Sequence, residues 1–360
     1  MNKRLFLAGA AALALAGLSG CGPVSGSSDD TAHGSQSKDG RRLIDITSAA
    51  EFALIPEGAT DIYKLGEDIT IPEEWTGPLN FKGELNGNGK TITFNDTVIT
   101  RGDGNSGGLF STTGAGAFIH DVIIEGNFSP DSTRGFFGAV AGSAANTRIE
   151  ACSVTVDLRE DHAAEVVFGG VAGWISGGTV IANCYYAGEI FTKYENDSTN
   201  LKPRAGGIVG FAIGTTTDAA IEHCYAAGTI SLISRSVCAG GICGGLLNDN
   251  NSYLTIKDCI ALQSNIKAEN AESLGRVSGS PATPPYLTLT GNYGKSDMEK
   301  NGGPASWTSN AAGLDGESVS DATRNTAAWW EARGFLFGGS SVAAPWKWND
   351  QTSLPVLYFE

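Results

Sequence analysis

The sequence predicts an all-β fold, a solenoid of stacked parallel coils with a cap at each end, and three observations predict it. Glycine is the first: it supplies 49 of 360 residues against only 12 prolines, with no Gly-x-y period, which excludes collagen. The second is a recurring core, Gly-x-aliphatic-x-Gly: GAVAG at 138–142, GGVAG at 169–173, GGIVG at 206–210, GGICG at 240–244 and GRVSG at 275–279. GGLFS at 107–111 leads them without the final glycine, and the start-to-start spacings are 31, 31, 37, 34 and 35 residues. The third is a follow-on signature after each of the first five blocks: IHDVIIEGNF from 119, IEACSVTVDL from 149, IANCYYAGEI from 181, IEHCYAAGTI from 221 and IKDCIALQSNI from 256. Repeats this short cannot bury an apolar face alone, so they must stack and share one core. With 41% hydrophobic and 18% charged residues the chain has enough apolar surface for that core, which argues against disorder.

From the start of the chain, Lys3 and Arg4 precede the apolar run Leu5 to Leu18, too short to span a bilayer. Residues 1–20 therefore read as a signal peptide. Leu18-Ser19-Gly20-Cys21 resembles the bacterial lipoprotein lipobox, which implies palmitate-type acylation of Cys21 and cleavage before it. Residues 21–42 are polar and read as a flexible tether. No later stretch is apolar enough to span, so the expected membrane partner is reached through the acyl chains on Cys21 alone. Gly22, where the resemblance puts Asp for inner-membrane retention, implies a cell-envelope address at the outer membrane or cell surface.

Residues 43–100 read as an N-terminal cap and first coil, with a capping box at Ser48 to Glu51 and strand-like IYKLGEDITI at 62–71. Residues 101–295 carry the repeats. Leu109, Val140, Val171, Ile208, Ile242 and Val277 form one aliphatic column, and Ile119, Ile149, Ile181, Ile221 and Ile256 another; both are expected inside. The column Asp121, Ala151, Asn183, His223 and Asp258 predicts a bend, because Asn, Asp and His tolerate left-handed backbone, with Ala151 the exception. Residues 296–360 hold five of the seven tryptophans, at 307, 329, 330, 346 and 348, and a helix from Ser320 to Arg333 stopped by Gly334. They read as an aromatic plug over the last coil.

These repeats resemble those of GLUG-motif proteins, bacterial surface chains with GGLVG followed by I-x-N-C-Y-x-x-G-x-I. FKGELNGNGKTITF at 81–94 resembles the family's opening coil, and the region around Trp346 and Leu354-Pro355-Val356-Leu357 its closing segment. The resemblance covers residues 43–360. It implies a right-handed parallel β-helix on an envelope protein, often adhesive, and no catalytic residues, because the motif is structural.

Cys152, Cys184, Cys224 and Cys259 continue the column of Val122 and read as small buried hydrophobes. Cys238 and Cys243, flanking the start of the fifth coil, are the better disulfide pair. No cofactor or metal is implied: C-x-x-C and H-x-x-x-H are absent, and the histidines are only His33, His120, His162 and His223. Phosphate-loop and HExxH motifs are absent too. Asp157, Arg159, Glu160, Asp161 and His162 read as a solvated loop between coils, as does the insert at 192–204. Without the leader the balance is 22 basic against 39 acidic residues, which disfavours nucleic acid and other polyanions. The better clue is aromatic: Trp174 and Phe211 follow the glycine core, Tyr185 and Tyr225 the cysteine, on two adjacent coils, and are the ligand-binding candidates. The expected function is a non-catalytic binding or adhesion module for a neutral glycan or a protein partner. The alternatives are a β-helix polysaccharide lyase or glycoside hydrolase, marked by carboxylates and a Lys or Arg on one outward face, and a structural envelope spacer.

Overall fold

The computed structural model describes residues 39–360 apart from 133, 162–164, 194–202, 214–216, 234–236, 247–252, 270–272, 280–285 and 340. The leader, Cys21, the tether as far as residue 38, His162 and most of the 192–204 insert lie outside the described residues.

The coils build three sheets. The first contains Ser106–Gly107, Arg134–Gly138, Glu165–Gly169, Arg204–Gly206, Cys238–Gly240 and Ser273–Gly275. The second contains Phe110–Thr113, Ala141–Ala145, Ala172–Ser176 and Val209–Ile213. The third is the longest and begins at Leu43–Ile46; in its middle Phe118–Pro130 pairs with Arg148–Glu160. Every ladder in these sheets is parallel. The chain is therefore a parallel β-helix.

Both aliphatic columns are fully buried, from Leu109 to Val277 and from Ile119 to Ile256, in one core cluster running from Ile46 to Met298. The glycine pairs explain why the repeat tolerates so little there. A Cβ on Gly138 would stand 2.5 Å from the Gly173 nitrogen, and one on Gly169 2.5 Å from the Gly210 nitrogen. The first glycine of each block thus touches the last glycine of the next coil, a backbone approach that excludes any side chain. The leading block is one residue out of step on the first sheet, where Gly107 pairs with Phe137 rather than with Gly138, and back in register on the second, where Phe110 pairs with Ala141.

The bend column behaves as one: Asp121, Ala151, Asn183, His223 and Asp258 have φ between 50° and 56°. Ala151 adopts the strained value without the polar side chain that eases it, so coil stacking overrides local preference there. The bend lets the next residue turn back inward, and Cys152, Cys184, Cys224 and Cys259 are all free and buried. Asn292 ends this column, its Oδ1 accepting from Cys259 N at 3.0 Å and its Nδ2 donating to Ile256 O at 2.7 Å. Burial pushes the Cys184, Cys224 and Cys259 thiols well above the usual range, and Cys243 up to about 12, so these groups stay protonated and unreactive. Cys238 and Cys243 form no disulfide. They sit on different sheets, Cys238 pairing with Arg204 and Ser273, Cys243 with Val209 and Ser278, with the Gly240-Gly241 corner between them.

At the N-terminal end Ser48 caps the helix Ala49–Ala53, its Oγ accepting from Glu51 N at 3.3 Å. The Glu51 carboxylate reaches back to Thr47 N at 2.7 Å, one residue before the usual capping-box partner. The helix drives Phe52 into the rod end against Trp75 and Phe110, ring centroids 6.0 and 5.3 Å away.

The C-terminal end is closed differently from the expected aromatic plug. Of the five late tryptophans only Trp307 packs on the main core, its Nε1 donating to Met298 O at 2.7 Å. The closure is centred on Arg276, fully buried, which donates to the carbonyls of Gly294, Lys295, Asp315 and Gly316 and to Ser318 Oγ. These acceptors let a guanidinium fill the rod end without an orphaned donor. Beyond it, the expected helix divides into Asp321–Arg324 and Ala327–Glu331, because Asn325 leaves helical geometry and Thr326 is extended. Gly334, at φ 84°, ends the second helix as expected.

Candidate binding site

Tyr185 and Tyr225 stack as the repeat register predicts, centroids 4.9 Å apart and planes within 5°. They do not form an exposed face, being only 7% and 2% accessible. The outward column to which they belong is apolar, and the chain after residue 320 folds back along the rod to cover it. Trp330, Phe335, Trp346 and Leu357 join both tyrosines in a second buried cluster. The hydroxyls are satisfied there: Tyr225 donates to Pro355 O at 2.8 Å and Tyr185 to the Glu360 carboxylate, which also accepts from Ser153 Oγ and Leu357 N. Trp346 Nε1 donates to Asn183 Oδ1 at 3.2 Å. Burial pushes both tyrosine pKa values up, with the Glu360 charge adding to it at Tyr185. This clasp runs from Tyr293, which carries Arg333 over its ring and Trp329 at its edge, back to Gly89 against Phe359.

Trp174 and Phe211 pair in the second sheet, away from the clasped tyrosines. Phe211 is buried, its ring covered by the Arg204 guanidinium at 4.1 Å. Trp174 stays half-buried and packs on Phe136 of the first sheet, centroids 4.9 Å apart and planes at 44°. Phe136 is also half-buried. It escaped sequence reasoning because its register partners are Ser106 and Val167, so no aromatic column marks it. Of the four candidates, Trp174 alone keeps an accessible ring, and its true neighbour is Phe136. Beside Phe136 lies a small pocket of about 50 Å³ lined by Asn105, Arg134, Gly135, Glu165 and Val167.

The third sheet holds a larger open cleft of about 290 Å³ lined by Asp96, Asn127, Ser129, Asp157, Arg159, Glu189 and Phe191. Residues 157–160 are strand rather than solvated loop; Asp157 and Arg159 point outward while Glu160 is buried. Asn127 Oδ1 accepts from Asp96 N at 2.6 Å and Asp157 Oδ1 from Glu189 N at 2.7 Å, so both side chains tie neighbouring coils together. Arg159 lies over the Phe191 ring at 4.4 Å and 3.6 Å from Asp161. Carboxylates and an arginine therefore do share one outward face, with part of that set engaged in holding the rungs. Among the described residues no group of His, Cys, Asp or Glu is placed to hold a metal ion.

Residues 203–231 match the GLUG motif, a span that holds the GGIVG block and the IEHCYAAGTI signature after it. No curated protein sequence matches the chain. The fold is similar to the crystal structure of a protein from Bacteroides ovatus named a "putative immunoglobulin A1 protease", with TM-score 0.65 and 18% identity over 90% of this chain and 94% of that one. A second solved structure, named "IgA1 Protease", aligns with TM-score 0.39 and 13% identity over 69% of this chain and 21% of that one. At 18% identity the likeness to the Bacteroides ovatus structure concerns the fold alone.

Proposed function

We propose that this GLUG-motif β-helix is a lipid-anchored protein of the bacterial cell envelope, displayed from the outer membrane, that binds a neutral glycan without turning it over. The observation that carries the reading is the Phe136–Trp174 pair: two half-buried rings held on two sheets, with a small pocket beside them to which Asn105, Arg134 and Glu165 contribute polar groups. Such a platform meets the apolar face of a sugar ring while neighbouring polar groups take its hydroxyls. The net charge of -15 opposes polyanions and leaves neutral chains as the better partners. Trp174→Ala is expected to weaken binding on an array of neutral glycans at least about tenfold while leaving the circular dichroism spectrum intact, since a half-buried outward side chain contributes little to the core. Undiminished binding by this variant would refute the site.

Anchoring rests on Leu18-Ser19-Gly20-Cys21 and the polar tether that follows. Cys21→Ser is expected to abolish metabolic palmitate labelling and to leave an unprocessed precursor; labelling that persists would refute it. A glycan lyase or hydrolase is the second reading, favoured by Asp96, Asp157, Glu189 and Arg159 on one open cleft. Release of reducing ends or unsaturated sugars that is lost on Asp157→Asn or Glu189→Gln would establish that reading in place of the first.

A further inference from the structure

Glu165 stands out among the buried polar groups. Its side chain is 7% exposed, one carboxylate oxygen lies 3.4 Å from Arg134 Nε, and the other, Oε1, has no hydrogen-bond partner among the described residues. An unpartnered buried carboxylate oxygen costs stability and is rare in folded proteins, so it calls for a reason. The reason lies in its position: Glu165 lines the pocket of about 50 Å³ whose wall is Phe136, the ring that packs on Trp174. That volume admits a single hydroxyl-bearing group and not a whole sugar ring.

We propose that Glu165 is the specificity-determining acceptor of the glycan site, taking a hydroxyl hydrogen from a neutral sugar whose ring rests on Phe136 and Trp174. The inference rests on the glycan-binding reading above. A carboxylate only accepts, so it takes an O–H donor and repels a uronate or a sulfate. Arg134 already balances its charge, which removes any need for a cationic ligand and leaves an uncharged donor as the matching group. Shielding from bulk water means that the new hydrogen bond meets little competition.

The test uses the full chain and a panel of neutral hexasaccharides in gluco, manno, galacto and xylo configurations, with oligogalacturonate as the acidic comparison. Glu165→Leu is expected to lose about 10- to 100-fold in affinity for the neutral ligand that the wild type prefers, the range for a hydrogen bond to a charged group. The same change is expected to raise the melting temperature, because it removes an unsatisfied oxygen from the interior. Glu165→Gln is expected to narrow the preference for neutral over acidic sugars. A leucine variant that binds like the wild type, or that melts lower, would overturn the role of Glu165; if Trp174→Ala still abolished binding, the glycan reading would survive. If the wild type bound none of the neutral hexasaccharides, both would fall together.

Discussion

Replacing Ile208 with Asp is expected to abolish the folded solenoid at physiological temperature. Ile208 is fully buried in the column between Val171 and Ile242, and its backbone is bonded to both neighbours: N to Ile242 O at 3.0 Å, O to Val171 N at 3.0 Å. An aspartate there has no cation to meet and no water to enter. The cost is at least about 3–5 kcal/mol for an uncompensated buried charge, a large share of the roughly 5–15 kcal/mol that holds a domain together. Because each coil is stabilised chiefly by its neighbours, the damage spreads along the rod. Thermal melting followed by far-ultraviolet dichroism measures it, with the exposed change Glu57→Gln as control, expected within about 0.5 kcal/mol of the wild type. Equal melting temperatures for the two variants would mean that the column does not face the core.

Trp346→Ala should open the clasp and spare the coils. Trp346 is fully buried, 5.8 Å from Tyr225 and 5.2 Å from Phe335 by ring centroids, and it anchors to Asn183 through its indole nitrogen. Truncating such a residue costs about 3–5 kcal/mol. The cluster it belongs to is separate from the main core, so the loss falls on the contact between the C-terminal segment and the sheet. Limited proteolysis is expected to cut after residue 320 while the far-ultraviolet β signal persists, and tyrosine accessibility should rise as Tyr185 and Tyr225 lose their cover. Loss of the whole fold in one transition, with no C-terminal cleavage preceding it, would show the clasp and the coils to be one cooperative unit.

Much of the interior was legible in the sequence because a parallel stack places each residue over its own copy one coil away. The two aliphatic columns, the glycine pairs and the left-handed bend are each visible as a repeated letter, and Ala151 shows that the stack imposes the bend even where the letter changes. The Asn292 stop and the Arg276 closure were not legible. Each occurs once, at the point where the repetition ends and backbone groups must find other partners.

The aromatic row shows the boundary most clearly. Tyr185 and Tyr225 repeat correctly, and their stacking follows from their spacing, but repetition says only that two rings share a column and nothing about what lies above them. That was decided by residues some 130 to 175 positions away, where Pro355 and Glu360 meet the tyrosine hydroxyls. Phe136 was invisible for the opposite reason, since its contact with Trp174 crosses between two sheets where no column repeats it. The sequence alone thus determined the coil and its core, where contacts are periodic. Only the tertiary structure decided which outward surfaces stay open, because an aperiodic segment covers whatever apolar face its own side chains can reach and satisfy.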